Sequence, residues 1–138
     1  MWRRGRKTRR AHGALLVLFD TSFFIDLERE IFSGQSGPAG AFLATQRGHA
    51  KWVATVTLGE FAVGGASGPA LRRFFRGYVP MPLGREDAIF AGHLQARLAF
   101  ELGENDLWIA GLALRHGLPL VTRDQAFSRV PGLRVLAY

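Results

Sequence analysis

Four carboxylates stand where apolar runs end or helices begin. Asp20 directly follows the run 14–19, and Asp124 comes two residues after the run 118–122. Glu60 falls in the first turn of a helix expected after the second strand, within the apolar, glycine-rich stretch 56–66. Asp106 opens a helix ahead of the next strand. In a parallel sheet, ligands bind outside the carboxyl ends of the strands. Four acids on one such edge would make an all-oxygen site for a hard divalent cation, with room for waters. A cation there lowers the pKa of a bound water and neutralises a phosphodiester's charge. Taken singly, the acids have plainer readings. Asp20 and Asp106 suit the positive ends of helices, and Asp124 suits a turn. Glu60 has no such plain role. Asp26, Glu28, Glu30, Glu86 and Asp87 read as solvated helix faces.

Those positions depend on the elements around them. The run 14–19 is apolar throughout, as a strand buried on both faces of a parallel sheet must be. Asp20-Thr21-Ser22 supplies helix-capping chemistry, and the helix it starts runs to a break at 33–38. A short helix over 39–46 precedes a strand over 52–56, and Thr57 is placed to cap the helix that ends in Gly64-Gly65. A helix over 69–76 leads to a weak strand over 78–83, limited by Pro80 and Pro82. The spacing of Phe90, Leu94, Leu98 and Leu102 predicts the longest helix, over 85–102, stopped by Gly103. Asn105 can cap a helix over 106–116. Strands over 118–122 and 133–136 close the chain around a turn at 124–127. Strand and helix alternate throughout, the pattern of an α/β domain whose mostly parallel sheet is covered by helices on both sides.

Composition narrows the class. A chain of 138 residues suits one domain. Hydrophobic residues make up 48% and charged residues 21%, so the bulk of it folds. Without cysteine, a disulfide scaffold, a thiolate zinc site, an iron–sulfur cluster and a cysteine nucleophile are all excluded. No apolar run approaches the roughly 18 residues of a membrane span. A soluble, cytoplasmic protein is expected. The net charge of +7 is local: six cations precede residue 11, and beyond them 12 cations face 11 acids. Residues 1–13 read as a basic, disordered tail, or in a sharper version as an arm that attracts phosphate. Residues 14–138 read as the single folded domain.

The runs Phe19-Asp20-Thr21-Ser22, Thr57-Leu58-Gly59-Glu60-Phe61, Asn105-Asp106-Leu107-Trp108-Ile109-Ala110-Gly111-Leu112-Ala113-Leu114 and Leu120-Val121-Thr122-Arg123-Asp124 together resemble the PIN-domain family. Within it, the chain looks most like the VapC toxins of bacterial toxin–antitoxin pairs. The likeness runs over residues 15–136, and the runs at Asp106 and Asp124, 18 residues apart, are its specific parts. The resemblance implies a three-layer α/β/α sandwich with a central, mostly parallel sheet and a Mg²⁺- or Mn²⁺-dependent endoribonuclease. It makes Asp20, Glu60, Asp106 and Asp124 the metal ligands and catalytic residues, with Ser22 supporting the site. It also implies an RNA substrate such as tRNA or ribosomal RNA, a cognate antitoxin, and a homodimer. Trp108 and Gly111 depart from the small aliphatic residues and Ala usual in that helix, and the basic tail has no counterpart in a typical member.

Three rival readings are weaker. An aspartyl phosphatase would want an acid where Ser22 stands, and a receiver domain would want a second acid beside Asp20. A non-catalytic RNA-binding module has only the basic tail in its favour. The glycine-rich stretches 34–40 and 64–68 lack a following Gly-Lys-Ser/Thr and read as turns. The four histidines lack ligand spacing, and His116 suits a helix end, where it can bond terminal carbonyls. The run Arg72-Arg73-Phe74-Phe75-Arg76 reads as an amphipathic helix with snorkelling arginines, or as an RNA or subunit contact.

Overall fold

Val17, Leu18 and Phe19 have no solvent exposure, and their alternation decides the layering. In a strand, successive side chains point to opposite faces, so a strand apolar at every position requires cover on both. A computed structural model of the chain describes residues 10–11 and 14–138, with side chains from Leu16 onward. The basic tail expected over 1–13 lies outside the described residues, apart from Arg10–Ala11 (β1), which pairs antiparallel with Ala14–Leu15 (β2). The strand expected over 14–19 is therefore divided. Its second part, Val17–Phe19 (β3), is the centre of the main sheet.

On one side of β3 lie Lys51–Ala54 (β4) and then Val79–Met81 (β5); on the other lie Leu120–Val121 (β6) and then Val135–Leu136 (β7). All four ladders are parallel. The helices are Thr21–Ser33 (α1), Pro38–Thr45 (α2), Thr55–Val63 (α3), Gly68–Phe74 (α4), Arg85–Arg97 (α5) and Glu104–His116 (α6), with a short 3₁₀ turn over Gln125–Arg129. Leu18, Ala54 and Leu120 face one core with the buried residues of α5 and α6. Val17, Phe19, Val53 and Val121 face the other, with Phe23, Phe24 and Leu27 of α1, Ala39 of α2, and Phe75. The result is the expected α/β/α sandwich.

Local chemistry corrects several boundaries. The helix expected to reach 102 stops at Arg97, because Gln95 turns the chain back. Its Nε2 donates to the Phe100 carbonyl at 2.8 Å, and its Oε1 accepts the Leu102 N–H at 3.1 Å. At 13 residues, α5 is no longer than α1 or α6. Glu30 is not a solvated face: its carboxylate accepts the N–H groups of Gly37, Ala39 and Gly40 at 2.8, 2.9 and 2.9 Å. It thus satisfies the orphan donors at the start of α2, where Gly37 has no side chain to do so. Gly111 is required by contact, since a Cβ there would lie 2.6 Å from that of Ala91 where α5 and α6 touch.

Candidate active site

Asp20 is the first residue beyond β3, and its N–H bonds the carbonyl of Val121 in β6 at 2.9 Å. It is also the N-cap of α1, so its backbone leaves the strand and its carboxylate turns back on the helix start. Oδ2 accepts the Ser22 hydroxyl at 2.8 Å, the Thr122 hydroxyl at 2.8 Å and, more weakly, the Ser22 N–H at 3.4 Å. Oδ1 is buried with no hydrogen-bond partner among the described residues. A buried acceptor left this way costs about 1–3 kcal/mol, more when charged. One carboxylate is thus half satisfied and half open.

Glu60 lies in the second turn of α3, not the first, because the helix begins at Thr55. Thr57 is accordingly not the cap; that position belongs to Ala54. The Thr57 hydroxyl is fully buried and lies 2.8 Å from that of Thr21, which donates to Glu60 Oε1 at 2.8 Å. With its one proton directed at Glu60, Thr21 must accept from Thr57. The start of α1 therefore fixes the Glu60 side chain.

Asp106 sits in the first turn of α6, whose N-cap is Gly103 and not Asn105. Burial first, and then the charges of Asp20, Asp124 and Glu60, push its carboxyl up to about 6. The four acids singled out in the sequence therefore lie in one electrostatic neighbourhood. Asp124 follows β6, donates its N–H to Thr122 Oγ1 at 3.0 Å, and caps the 3₁₀ turn by accepting the Ala126 N–H at Oδ1, at 2.9 Å. That cap uses one of its two oxygens.

All the donors in this neighbourhood are oxygens, and the open Asp20 Oδ1 is an acceptor without a proton donor. Such a set fits a hard divalent cation. As the side chains stand, no group of three His, Cys, Asp or Glu among the described residues is gathered closely enough to hold one.

From the sequence, Thr21 and Thr57 had only helix-capping roles and Thr122 had none. Each is a hydroxyl at or just past a strand's carboxyl end, which is the signal that could have found them. Asp26 and Asp87 also depart from the solvated faces expected. Asp26 accepts the Tyr138 hydroxyl at 2.6 Å and pairs with Arg123 at 2.9 Å. Asp87 is buried and bonded to Arg115 and His116, so His116 meets a carboxylate and not terminal carbonyls.

Comparison with known proteins agrees with the fold. The family model described as PIN domain matches residues 17–133. The chain belongs to the PIN-domain family. It is 32% identical over 133 residues to Ribonuclease VapC4 of Mycobacterium tuberculosis (strain ATCC 25618 / H37Rv), covering 87% of this chain and 95% of that protein. Among solved structures, it is similar to VapBC2 from Rickettsia felis bound to a DNA fragment from its promoter. The TM-score is 0.72 at 18% identity, over 89% of this chain and 98% of the other. DNA-bound VapBC from Salmonella typhimurium gives 0.68 at 24% identity, over 89% and 98%. At these identities the structures show the PIN fold, while the M. tuberculosis relative places the chain among proteins homologous to VapC-like ribonucleases. Among the described residues of this PIN domain, no helix is long and apolar enough to cross a membrane.

Proposed function

We propose that the chain is a Mg²⁺- or Mn²⁺-dependent endoribonuclease, the toxin of a type II toxin–antitoxin pair, acting on structured RNA such as tRNA or ribosomal RNA. The observation that carries this reading is the buried, unpartnered Asp20 Oδ1, set in a neighbourhood of three further carboxylates. Asp20, Asp106 and Asp124 would hold the cation, with Glu60 as a direct ligand or through a water. When bound, the cation supplies a water of lowered pKa and a positive charge opposite the phosphodiester.

The chain's own part is orientation. Ser22 and Thr122 hold Oδ2 of Asp20 and so leave Oδ1 as the free oxygen. Thr57 and Thr21 do the same for Glu60 by holding its Oε1. Burial and the other three carboxylates push the Asp106 carboxyl up to about 6, so it is the acid that a nearby positive charge would relieve. The phosphatase reading is disfavoured because the place of its general acid is filled by Ser22, which is itself bonded to Asp20. A cognate antitoxin and a second copy of the chain are the partners we carry over from VapC-like relatives.

The test is incubation of the purified chain with structured RNA in Mn²⁺ or in EDTA. Cleavage is expected only with the cation, and Asp106→Asn should abolish it with an unchanged circular dichroism spectrum. Full cleavage in EDTA, or by that variant, would overturn the assignment.

A further inference from the structure

Arg123 is the only cation in the four segments that carry the acids, residues 19–22, 54–61, 102–107 and 121–125. It stands between Thr122, whose hydroxyl holds Asp20, and Asp124. Its Nε lies 2.9 Å from Asp26 Oδ2, and its side chain is 52% exposed. Among the described residues, no hydrogen bond or ion pair takes its two terminal nitrogens. The guanidinium is thus held at one corner with its fork free.

The anchor is firm. Asp26 lies one helix turn beyond Ser22 on α1, and the same Oδ2 accepts the Tyr138 hydroxyl at 2.6 Å. The Tyr138 ring stands edge-on to Phe23, with centroids 5.1 Å apart, so the phenol is fixed by the core. A half-exposed ion pair adds only about 0–1 kcal/mol of stability, so stability alone gives little reason for this arrangement. A free guanidinium fork matches the oxygen pair of a phosphate. An RNA strand approaching four carboxylates meets like charge, and Arg123, the only cation in the segments that carry those acids, is placed to offset it. Its anchor Asp26 sits one helix pitch, about 5.4 Å, along α1 from Ser22, so the guanidinium is tied off to one side of the Asp20 carboxylate.

We propose that Arg123 binds the RNA phosphate adjacent to the one cleaved, through its two terminal nitrogens, with Asp26 and Tyr138 positioning it. The substrate class rests on the ribonuclease reading. The test uses the full chain and a fluorescently labelled structured RNA with a single-stranded loop. Affinity is measured in EDTA as a function of salt, and cleavage is measured separately in Mn²⁺. Arg123→Ala should flatten the slope of log affinity against log salt by about 0.7, one phosphate's worth for a single strand. It should also raise KM about tenfold while changing kcat less. Arg123→Lys should keep the slope, since the charge remains, but recover only part of the KM. Tyr138→Phe, which frees the anchor without touching the charge, should raise KM with the slope kept. Slopes and KM values equal to the wild type in Arg123→Ala would overturn the proposal. So would an equal loss of slope in Arg123→Lys, which would mean that the turn and not a phosphate contact had been disturbed. A wild type that leaves RNA intact in Mn²⁺ while the slopes still differ would instead sink the ribonuclease reading and leave Arg123 as an RNA contact.

Discussion

The Thr122 hydroxyl donates to Asp20 Oδ2 across 2.8 Å, joining residues 102 positions apart at the ends of two adjacent strands. Thr122 Oγ1 in turn accepts the backbone N–H of Asp124 at 3.0 Å, so one hydroxyl ties the Asp20 carboxylate to the Asp124 backbone. Thr122→Val keeps the shape and removes both bonds. Loss of a donor to a buried carboxylate is expected to cost about 2 kcal/mol, read as a lower urea midpoint with an unchanged slope. Thr122→Ser should restore most of it. A Val variant as stable as the wild type would mean that the hydroxyl does not hold Asp20.

The Asp106 carboxyl is pushed up from 3.8 to about 6, by burial first and then by Asp20, Asp124 and Glu60. Between those two values the folded chain binds a proton that the unfolded chain has released. Stability contributed by that group therefore falls as pH rises through the window, and the deficit is complete above about 6. Asn at this position carries no charge and escapes the deficit. Because the group is partly exposed, solvent screening reduces the gain to about 1 kcal/mol. Without metal, Asp106→Asn should melt about 4 °C above the wild type at pH 7.5 and close to it at pH 4. Equal melting at both pH values would remove the charge cluster from the account.

A cation that binds only the folded chain stabilises it, by about 2.7 kcal/mol at 100 times its dissociation constant. Millimolar Mn²⁺ should therefore raise the melting temperature of the wild type in a concentration-dependent way. Asp124→Asn removes one ligand and should lose most of that rise. If Mn²⁺ moves neither melting curve, or moves both equally, Asp124 does not take part in holding a cation.

Much of this was legible in the sequence, for identifiable reasons. A strand apolar at every position, as at Val17-Leu18-Phe19, has one solution, burial on both faces, and it fixed both the parallel sheet and the edge where Asp20 emerges. Asp20, Asp106 and Asp124 were legible because each stands at an element boundary, and Glu60 because it interrupts an apolar, glycine-rich stretch. Boundaries themselves were not, because long-range side-chain bonds decide them. Gln95 ends α5 through Phe100 and Leu102, and Thr57 turns inward to Thr21 where its sequence position suggested a cap. Charged residues were misread for the same reason. Asp26, Glu30 and Asp87 occupy positions polar enough to be solvated, yet each has partners from another element that no local pattern reveals.

Asp87 gives the most demanding check, because its environment pulls in two directions. Burial works to raise its carboxyl, but the Gly84 N–H, Arg115 and His116 outweigh it and hold the group below the usual carboxylate range. The bonds are 2.8 Å to Gly84, 2.9 Å to Arg115 and 2.9 Å to His116 Nε2, and they tie the start of α5 to the end of α6. A carboxyl lowered in the folded state contributes its full stability above the unfolded value and loses it as pH falls through the folded one. Asp87→Asn removes a counter-charge of Arg115. Truncating a fully buried pair costs about 3–5 kcal/mol, and the partial exposure of Arg115 should reduce this to about 2. The gap between wild type and variant should be widest near pH 7 and close as pH is lowered into the acid range. Asp87 also lines a cavity of about 350 Å³, together with Trp52, Met81 and His116, that none of the four acids lines. The variant's RNA cleavage at a temperature where it stays folded should therefore match the wild type. A stability gap that persists unchanged in acid would show that packing, and not charge, is what Asp87 supplies.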